Sequence, residues 1–217
     1  MRRILRAARQ KWKRVRRSLR KRRDEERFRA AQTQLKGLRE QLQCGTCEFE
    51  LWYFDEAGFT LTPSLPYAWQ PIGERIELES PGNQRQRQNV LGFLRWDGAD
   101  FYGATFEGSI DNHLVGGCFR AFAKARKSAA PKLIVLDNAP AHRGDEFEEE
   151  LDQLEKLGIF VMFLPSYSPE LNLIELLWKK IKYEWLPMDV YGSFETLTDA
   201  LFEVLKGIGS KYRITFG

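Results

Sequence analysis

The sequence predicts an α/β protein, a mixed sheet with helices on its faces. Three observations predict it. Short apolar segments rich in Phe, Leu, Ile, Val and Trp recur along the chain at strand length. Segments with apolar residues at three- or four-residue spacing lie between and after them, as amphipathic helices require. Two strand candidates, 132–136 and 159–164, are unbroken apolar runs, the pattern of central strands covered on both faces.

The 217 residues, 43% of them hydrophobic, suffice for one sizeable core with little left for a second. No uninterrupted apolar run reaches 18 residues, so no membrane span is expected. The charged N-terminus lacks the apolar centre of a signal peptide. Cys44, Cys47 and Cys118 cannot all pair within the chain, and a reducing, cytosolic setting fits them. The net charge of +4 hides an asymmetry. Residues 1–23 hold 13 Lys or Arg and no acidic residue, leaving 21 basic against 30 acidic residues in the rest. A basic arm on an acidic body points to phosphate as partner, with salt-dependent affinity through counterion release. A solvated tail without a specific role is the alternative.

The elements follow in order. Asp24 is positioned to cap a helix to about Gln43, with Phe28, Ala31, Leu35, Leu38 and Leu42 on one face and Gly45 as its stop. Residues 24–45 thus form a helix that packs on the body or links it to something upstream. Cys44-Gly-Thr-Cys47 has the spacing of half a zinc site, but no second such pair exists, and neither His113 nor His142 is close in sequence. Residues 48–54 read as a strand ending at Asp55-Glu56-Ala57-Gly58, and 59–74, with Pro63, Pro66, Pro71 and Gly73, as loop. Strands follow near 75–79, 88–95 and 101–106, the last two joined by a turn at Asp97-Gly98. Residues 111–127 read as a helix with Leu114, Cys118, Phe119 and Phe122 inward. The buried strand 132–136 ends at Asp137; a polar helix over 144–157 closes at Gly158; the strand 159–164 leads into a stiff loop from Pro165 to Pro169. A helix starts at Glu170 or Leu171 and runs to about Trp185, and another spans 194–207. The tail Arg213-Ile214-Thr215-Phe216 need not be ordered.

Three carboxylates stand out. Asp55 follows the first strong strand, Asp137 the buried strand 132–136, and Glu175 lies on an apolar stretch of the last clear helix. If the two strands are neighbours, the two aspartates converge, and adjacent anions need compensation. A divalent cation supplies it: Mg²⁺ prefers oxygen ligands, and a pair of ions can activate an attacking oxygen and stabilise a leaving one. With the basic arm, the set points to metal-dependent phosphoryl transfer on nucleic acid. Each aspartate alone serves equally as a turn or cap residue. Asn138 and His142 flank a tight Ala139-Pro140-Ala141 turn and are candidates to orient a metal-bound water, a phosphate or Asp137; His142 also fits as a plain packed residue. Asn172, three before Glu175, is expected on the same helical face, and Trp178, three beyond, as core or as a wall of the site. Ser166, Tyr167 and Ser168 can touch phosphate or form a rigid capping loop.

These motifs resemble a known family. Leu136-Asp137-Asn138-Ala139-Pro140-Ala141-His142 is similar to the second catalytic-Asp motif of the IS630/Tc1/mariner transposases. The run from Leu164 to Trp178 resembles the family's last carboxylate motif, and Phe54-Asp55-Glu56-Ala57-Gly58-Phe59 its first. Trp69-Gln70-Pro71-Ile72-Gly73 is similar to the family's tryptophan-containing turn, and the likeness runs from about residue 14 to 205. The resemblance implies an RNase H-like fold over residues 46–217, a DDE-type triad of Asp55, Asp137 and Glu175, and two Mg²⁺ or Mn²⁺ ions held by those three. It implies cleavage of transposon-end DNA, then attack of the freed 3′-hydroxyl on target DNA. Arg14, Arg16, Arg17, Arg20, Lys21, Arg22, Arg23, Lys179 and Lys182 are the expected DNA-binding residues. Only 54 residues precede Asp55, so reading of the terminal repeats is expected from a separate helix-turn-helix protein or upstream segment. A homo-oligomer acting on nucleoid DNA in the cytoplasm, without a membrane, is expected. Three readings compete: a catalytically inactive DNA-binding remnant; another RNase H-like nuclease, for instance one cutting RNA–DNA hybrids; and a purely structural assembly protein, which would bind no metal.

Overall fold

The computed structural model of the chain describes residues 20–63, 72, 86–138 and 145–216. The apolar segments become five strands: β1 Glu50–Phe59, β2 Gln88–Arg95, β3 Phe101–Glu107, β4 Lys132–Leu136 and β5 Ile159–Phe163. They form one mixed sheet in the order β3–β2–β1–β4–β5. β2 pairs antiparallel with both β1 and β3. Its hairpin to β3 turns at Asp97-Gly98, where Gly98 takes φ 72°. β4 runs parallel to β1 on one side and β5 on the other, which accounts for the unbroken apolar run it carries.

Five α-helices cover the sheet: α1 Glu25–Gln43, α2 Asn112–Ala125, α3 Asp145–Lys156, α4 Ile174–Lys180 and α5 Phe194–Lys206. Asp24 caps α1, its carboxylate accepting from the backbone N–H of Glu26 and of Arg27 at 3.1 Å, and Gly45 leaves it at φ 66°. Alternation along the strands sends side chains to two cores. Leu51, Tyr53, Ala57 and Phe59 of β1 and Val135 of β4 meet Phe28, Ala31 and Leu35 of α1, Ile174, Leu177 and Trp178 of α4, and Leu197, Leu201 and Val204 of α5. Trp52, Phe54, Ile134 and Leu136 meet Phe119 and Phe122 of α2 and Leu154 of α3 on the other face. Phe93 and Phe122 stack there with centroids 4.2 Å apart.

The structure departs from the sequence reading in four places. β1 does not end before Asp55 but runs on to Phe59, because β2 continues to pair with it as far as Gln88; Asp55 is therefore within a strand and not at its end. The helix expected over 170–185 is broken. A 3-10 turn spans Pro169–Leu171, Asn172 is extended (φ −89°, ψ 103°), α4 starts at Ile174, and a π-helical turn over Ile181–Trp185 follows it. The proline and the buried amide of Asn172 explain the break. Asn172 is consequently not on a helical face with Glu175. The tail is held: Ile214 is buried, and its carbonyl lies 2.5 Å from where a Cβ at Gly98 would sit. The strand expected at 75–79, and Trp69, Gln70, Pro71 and Gly73 of the tryptophan-containing turn, lie outside the described residues. Among the described residues no helix is long and apolar enough to cross a membrane, and all three cysteines are free thiols.

Candidate active site

Sheet register brings the first two carboxylates together. In the parallel pair β1–β4, Trp52 lies opposite Ile134 and Tyr53 opposite Val135. Two residues further along, the same register sets Asp55 beside Asp137, on strands that run about 4.8 Å apart. Alternation turns Asp55 to the face of Tyr53 and Ala57, and Asp137 to the face of Val135, which is the face α4 covers. Glu175 occupies the first turn of α4. All three line one cavity of about 600 Å³, together with Asn138, Asn172 and the loop Leu164–Pro169. That loop is fixed by the buried Leu164, whose N–H donates to the carbonyl of Leu136 at 2.9 Å.

Asp55 feels this crowding. Burial first, then the charges of Glu175 and Asp137, push its carboxyl up to about 7, against a bond from the backbone of Glu56 that favours the anion. The indole of Trp178 donates to Asp55 Oδ2 at 3.1 Å. Of the two roles expected of it, Trp178 takes the buried core ring, and it meets the site through this bond to Asp55 and not as part of the cavity lining. It reaches Asp55 because Gly92 stands opposite Asp55 on β2: a Cβ at Gly92 would lie 2.6 Å from the indole ring and 2.9 Å from the Phe101 ring. Asn172 is buried, and its amide Nδ2 donates to the carbonyl of Phe54 at 3.0 Å. That bond ties the segment before α4 to the strand residue preceding Asp55. Its Oδ1 is a buried acceptor without a partner.

The basic candidates divide. Lys182, one turn past α4, is partly buried with its Nζ 5.1 Å from the centroid of Phe59. Burial, then the guanidinium of Arg87, hold its ammonium below the usual lysine range, while Glu175 and Asp55 draw it up. It therefore stands beside the carboxylate cavity, and Lys179 is exposed on α4. Lys21 and Arg22 are exposed. Arg23 is engaged within the chain, its guanidinium bonded to Glu25 at 2.7 Å and to Glu170 at 2.5 Å. Glu170 adjoins Pro169 of the cavity loop, so the arm joins the body at the rim of the site. Arg14, Arg16, Arg17 and His142 lie outside the described residues, as does the side chain of Arg20.

Sequence reasoning missed Gly92, and it named Tyr167 with its loop but not the backbone it takes, φ 61°. An isolated glycine in the apolar run Gln88–Arg95 was a legible signal of close approach. Nothing in the sequence signals a left-handed tyrosine.

The donor set suits hard divalent cations: three carboxylates in one cavity, one of them driven toward protonation by burial and then by the charges of the other two. Among the described residues no three Asp, Glu, His or Cys side chains are already drawn into a closed ligand set. The carboxylates share the cavity rather than a single point in it.

An RNase H-like sheet with this carboxylate cavity defines a class, and comparison with known proteins gives the family. The family model for DDE superfamily endonucleases matches residues 50–198, and the chain belongs to that family. It is 24% identical over 136 residues to the insertion element IS630 uncharacterized 39 kDa protein of Shigella sonnei, a stretch covering 63% of this chain and 38% of that protein. Among solved structures, the Mos1 mariner paired end complex with Mn superposes with a TM-score of 0.60 at 16% identity, covering 94% of this chain and 62% of that one. The catalytic domain of Mos1 mariner transposase gives 0.55 at 15% identity, covering 90% and 85%. The chain thus spans under half of the IS630 protein and about three-fifths of the longer Mos1 chain. The RNase H-like fold and the resemblance to IS630/Tc1/mariner catalytic portions are borne out.

Proposed function

We propose that the chain is the catalytic portion of a DNA transposase that cleaves transposon-end DNA and joins the freed 3′-hydroxyl to target DNA. The observation that carries this reading is the gathering of Asp55, Asp137 and Glu175, from three separate elements, on one cavity. The relatives support it: Mos1 structures are described as paired end complexes with Mn and with Mg and as a strand transfer complex. In the first step water attacks a phosphorus, the P–O3′ bond breaks, and a 3′-hydroxyl and a 5′-phosphate result. In the second that hydroxyl attacks a target phosphorus, a new phosphodiester forms, and the target's own P–O3′ bond breaks.

Asp55, Asp137 and Glu175 would hold two Mg²⁺ or Mn²⁺ ions, which would supply activation of the attacking oxygen and neutralisation of charge on the phosphate and leaving oxygen. The chain's own groups prepare the site. Trp178 fixes the rotamer of Asp55 through its indole N–H. Asn172 anchors the segment before α4 to β1 through its amide Nδ2. Asn138 lines the floor next to Asp137, with His142 beyond it in sequence as a further positioning group. Lys182 and Lys179 offset phosphate charge beside the cavity, and the arm, including Arg14, Arg16, Arg17, Arg20, Lys21 and Arg22, holds the DNA backbone. Terminal-repeat reading comes from a separate helix-turn-helix protein or segment, and two or more copies of the chain act together on nucleoid DNA.

The test is divalent-dependent nicking of DNA carrying the element's ends. The wild-type chain should nick it with Mn²⁺ or Mg²⁺, and Asp137→Ala should lose more than about a hundredfold in rate, since several kcal/mol of charge stabilisation go with the ions. Nicking that survives unchanged in Asp137→Ala places the chemistry elsewhere. Better competition by RNA–DNA hybrid than by DNA makes the chain a different RNase H-like nuclease.

A further inference from the structure

The loop between β5 and α4 presents Tyr167 in an unusual way. Its φ is 61°, and among the described residues no other non-glycine residue has positive φ. That conformation suits Gly, Asn or Asp, whereas an aromatic side chain is crowded there. The ring is not taken into the core. It is 41% exposed, whereas Phe59, Phe101 and Trp178, the aromatic side chains gathered against the helix that bears Glu175, are all buried. The turn is held rigidly around it. Pro165 and Pro169 bracket it, the buried Ser168 bonds back to the carbonyl of Ser166 at 3.4 Å, and the N–H of Leu171 donates to the carbonyl of Ser168 at 3.0 Å. The ring thus stands on the wall of the cavity that holds Asp55, Asp137 and Glu175. Strained backbone kept in place at a cleft, with its aromatic ring left exposed, points to a partner from outside.

We propose that the Tyr167 ring is a stacking platform for an unpaired nucleobase of the DNA strand whose phosphate enters the carboxylate cavity. This rests on the nuclease reading above. The chemistry at the wall selects the partner. The acidic floor repels a second phosphate, and the loop carries no Lys or Arg to attract one; a flat, neutral, exposed ring suits the face of a base, and such stacking tolerates any base. The base must be out of its duplex stack, so the platform works at a nick, a free 3′-end or a frayed terminal pair. Tyr167 accordingly fixes where along the strand the reacting phosphate sits, and it acts by binding, with no part in bond making.

The experiment uses the whole chain with Ca²⁺, to limit cleavage, and a DNA duplex bearing a short 3′ single-stranded extension. 2-Aminopurine is substituted at successive positions across the junction. Wild type and Tyr167→Phe should quench one or two adjacent positions. Tyr167→Gly and Tyr167→Asn, which accept the backbone conformation without the ring, should abolish that quenching and weaken binding of the extension about tenfold. Melting temperature supplies the second measurement: Tyr167→Gly should melt at or above wild type, because the strain is relieved. Quenching retained in Tyr167→Gly overturns the proposal. So does its loss in Tyr167→Phe, which would assign the role to the hydroxyl, and so does a clear fall in melting temperature for Tyr167→Gly, which would make the ring structural. Wild type that binds no DNA at all overturns the nuclease reading and this inference with it, whereas DNA nicked by wild type without local quenching overturns this inference alone.

Discussion

At Asp55 burial and like charge act on one carboxyl. Its value of about 7 lies above the usual 3.8, so the folded chain holds a proton there that the unfolded chain has already released at intermediate pH. The sign follows: this site favours the folded state below about pH 4, and that contribution is lost as pH rises to about 7. In chelator, wild type should therefore gain stability from pH 8 to pH 5 relative to Asp55→Asn, by at most about 2.5 kcal/mol. Urea unfolding of both proteins at the two pH values measures it, and parallel pH profiles would remove the electrostatic account of the site. The carboxylates themselves were legible in the sequence because each closes or interrupts an apolar run, a local pattern. The indole bond to Asp55, the free oxygen of Asn172 and the left-handed Tyr167 were not, because each depends on how distant segments meet or on a single backbone angle that no residue type encodes.

Among the elements, the pairing of β2 with α4 shows how the site is assembled from a missing side chain. The glycine at position 92 lets the indole of Trp178 pass over β2 to the carboxylate opposite. Gly92→Ala should cost about 1–3 kcal/mol by overpacking and displace Trp178 from Asp55. Thermal unfolding gives the first effect. Tryptophan emission on adding Mn²⁺ gives the second, with a smaller response expected than in wild type. A neutral outcome in both would mean that the ring and Phe101 repack at no cost. Strand periods, the cap at Asp24 and most helix spans were readable from sequence, since they express local spacing. The extension of β1 through Asp55 and the break before α4 were not: the first is imposed by its partner strand, and the second by a buried amide bonding across 118 residues of chain.

For the molecule as a whole, the proposed function assigns the holding of DNA to the basic arm and its cleavage to the acidic cavity. Removing residues 1–19 takes away nine Lys or Arg and leaves α1, its cap and the cavity in place. Affinity should fall similarly for transposon-end and random DNA, and the slope of log affinity against log salt should flatten by about 0.9 for each duplex phosphate the arm no longer neutralises. A change in discrimination between sequences would mean that the arm reads bases. The ion pair of Arg23 with Glu170, next to Pro169 of the cavity loop, moors the basic segment at the lip of the cleft, so its nearest charges, Lys21 and Arg22, are delivered beside the carboxylates rather than across the far face of the sheet.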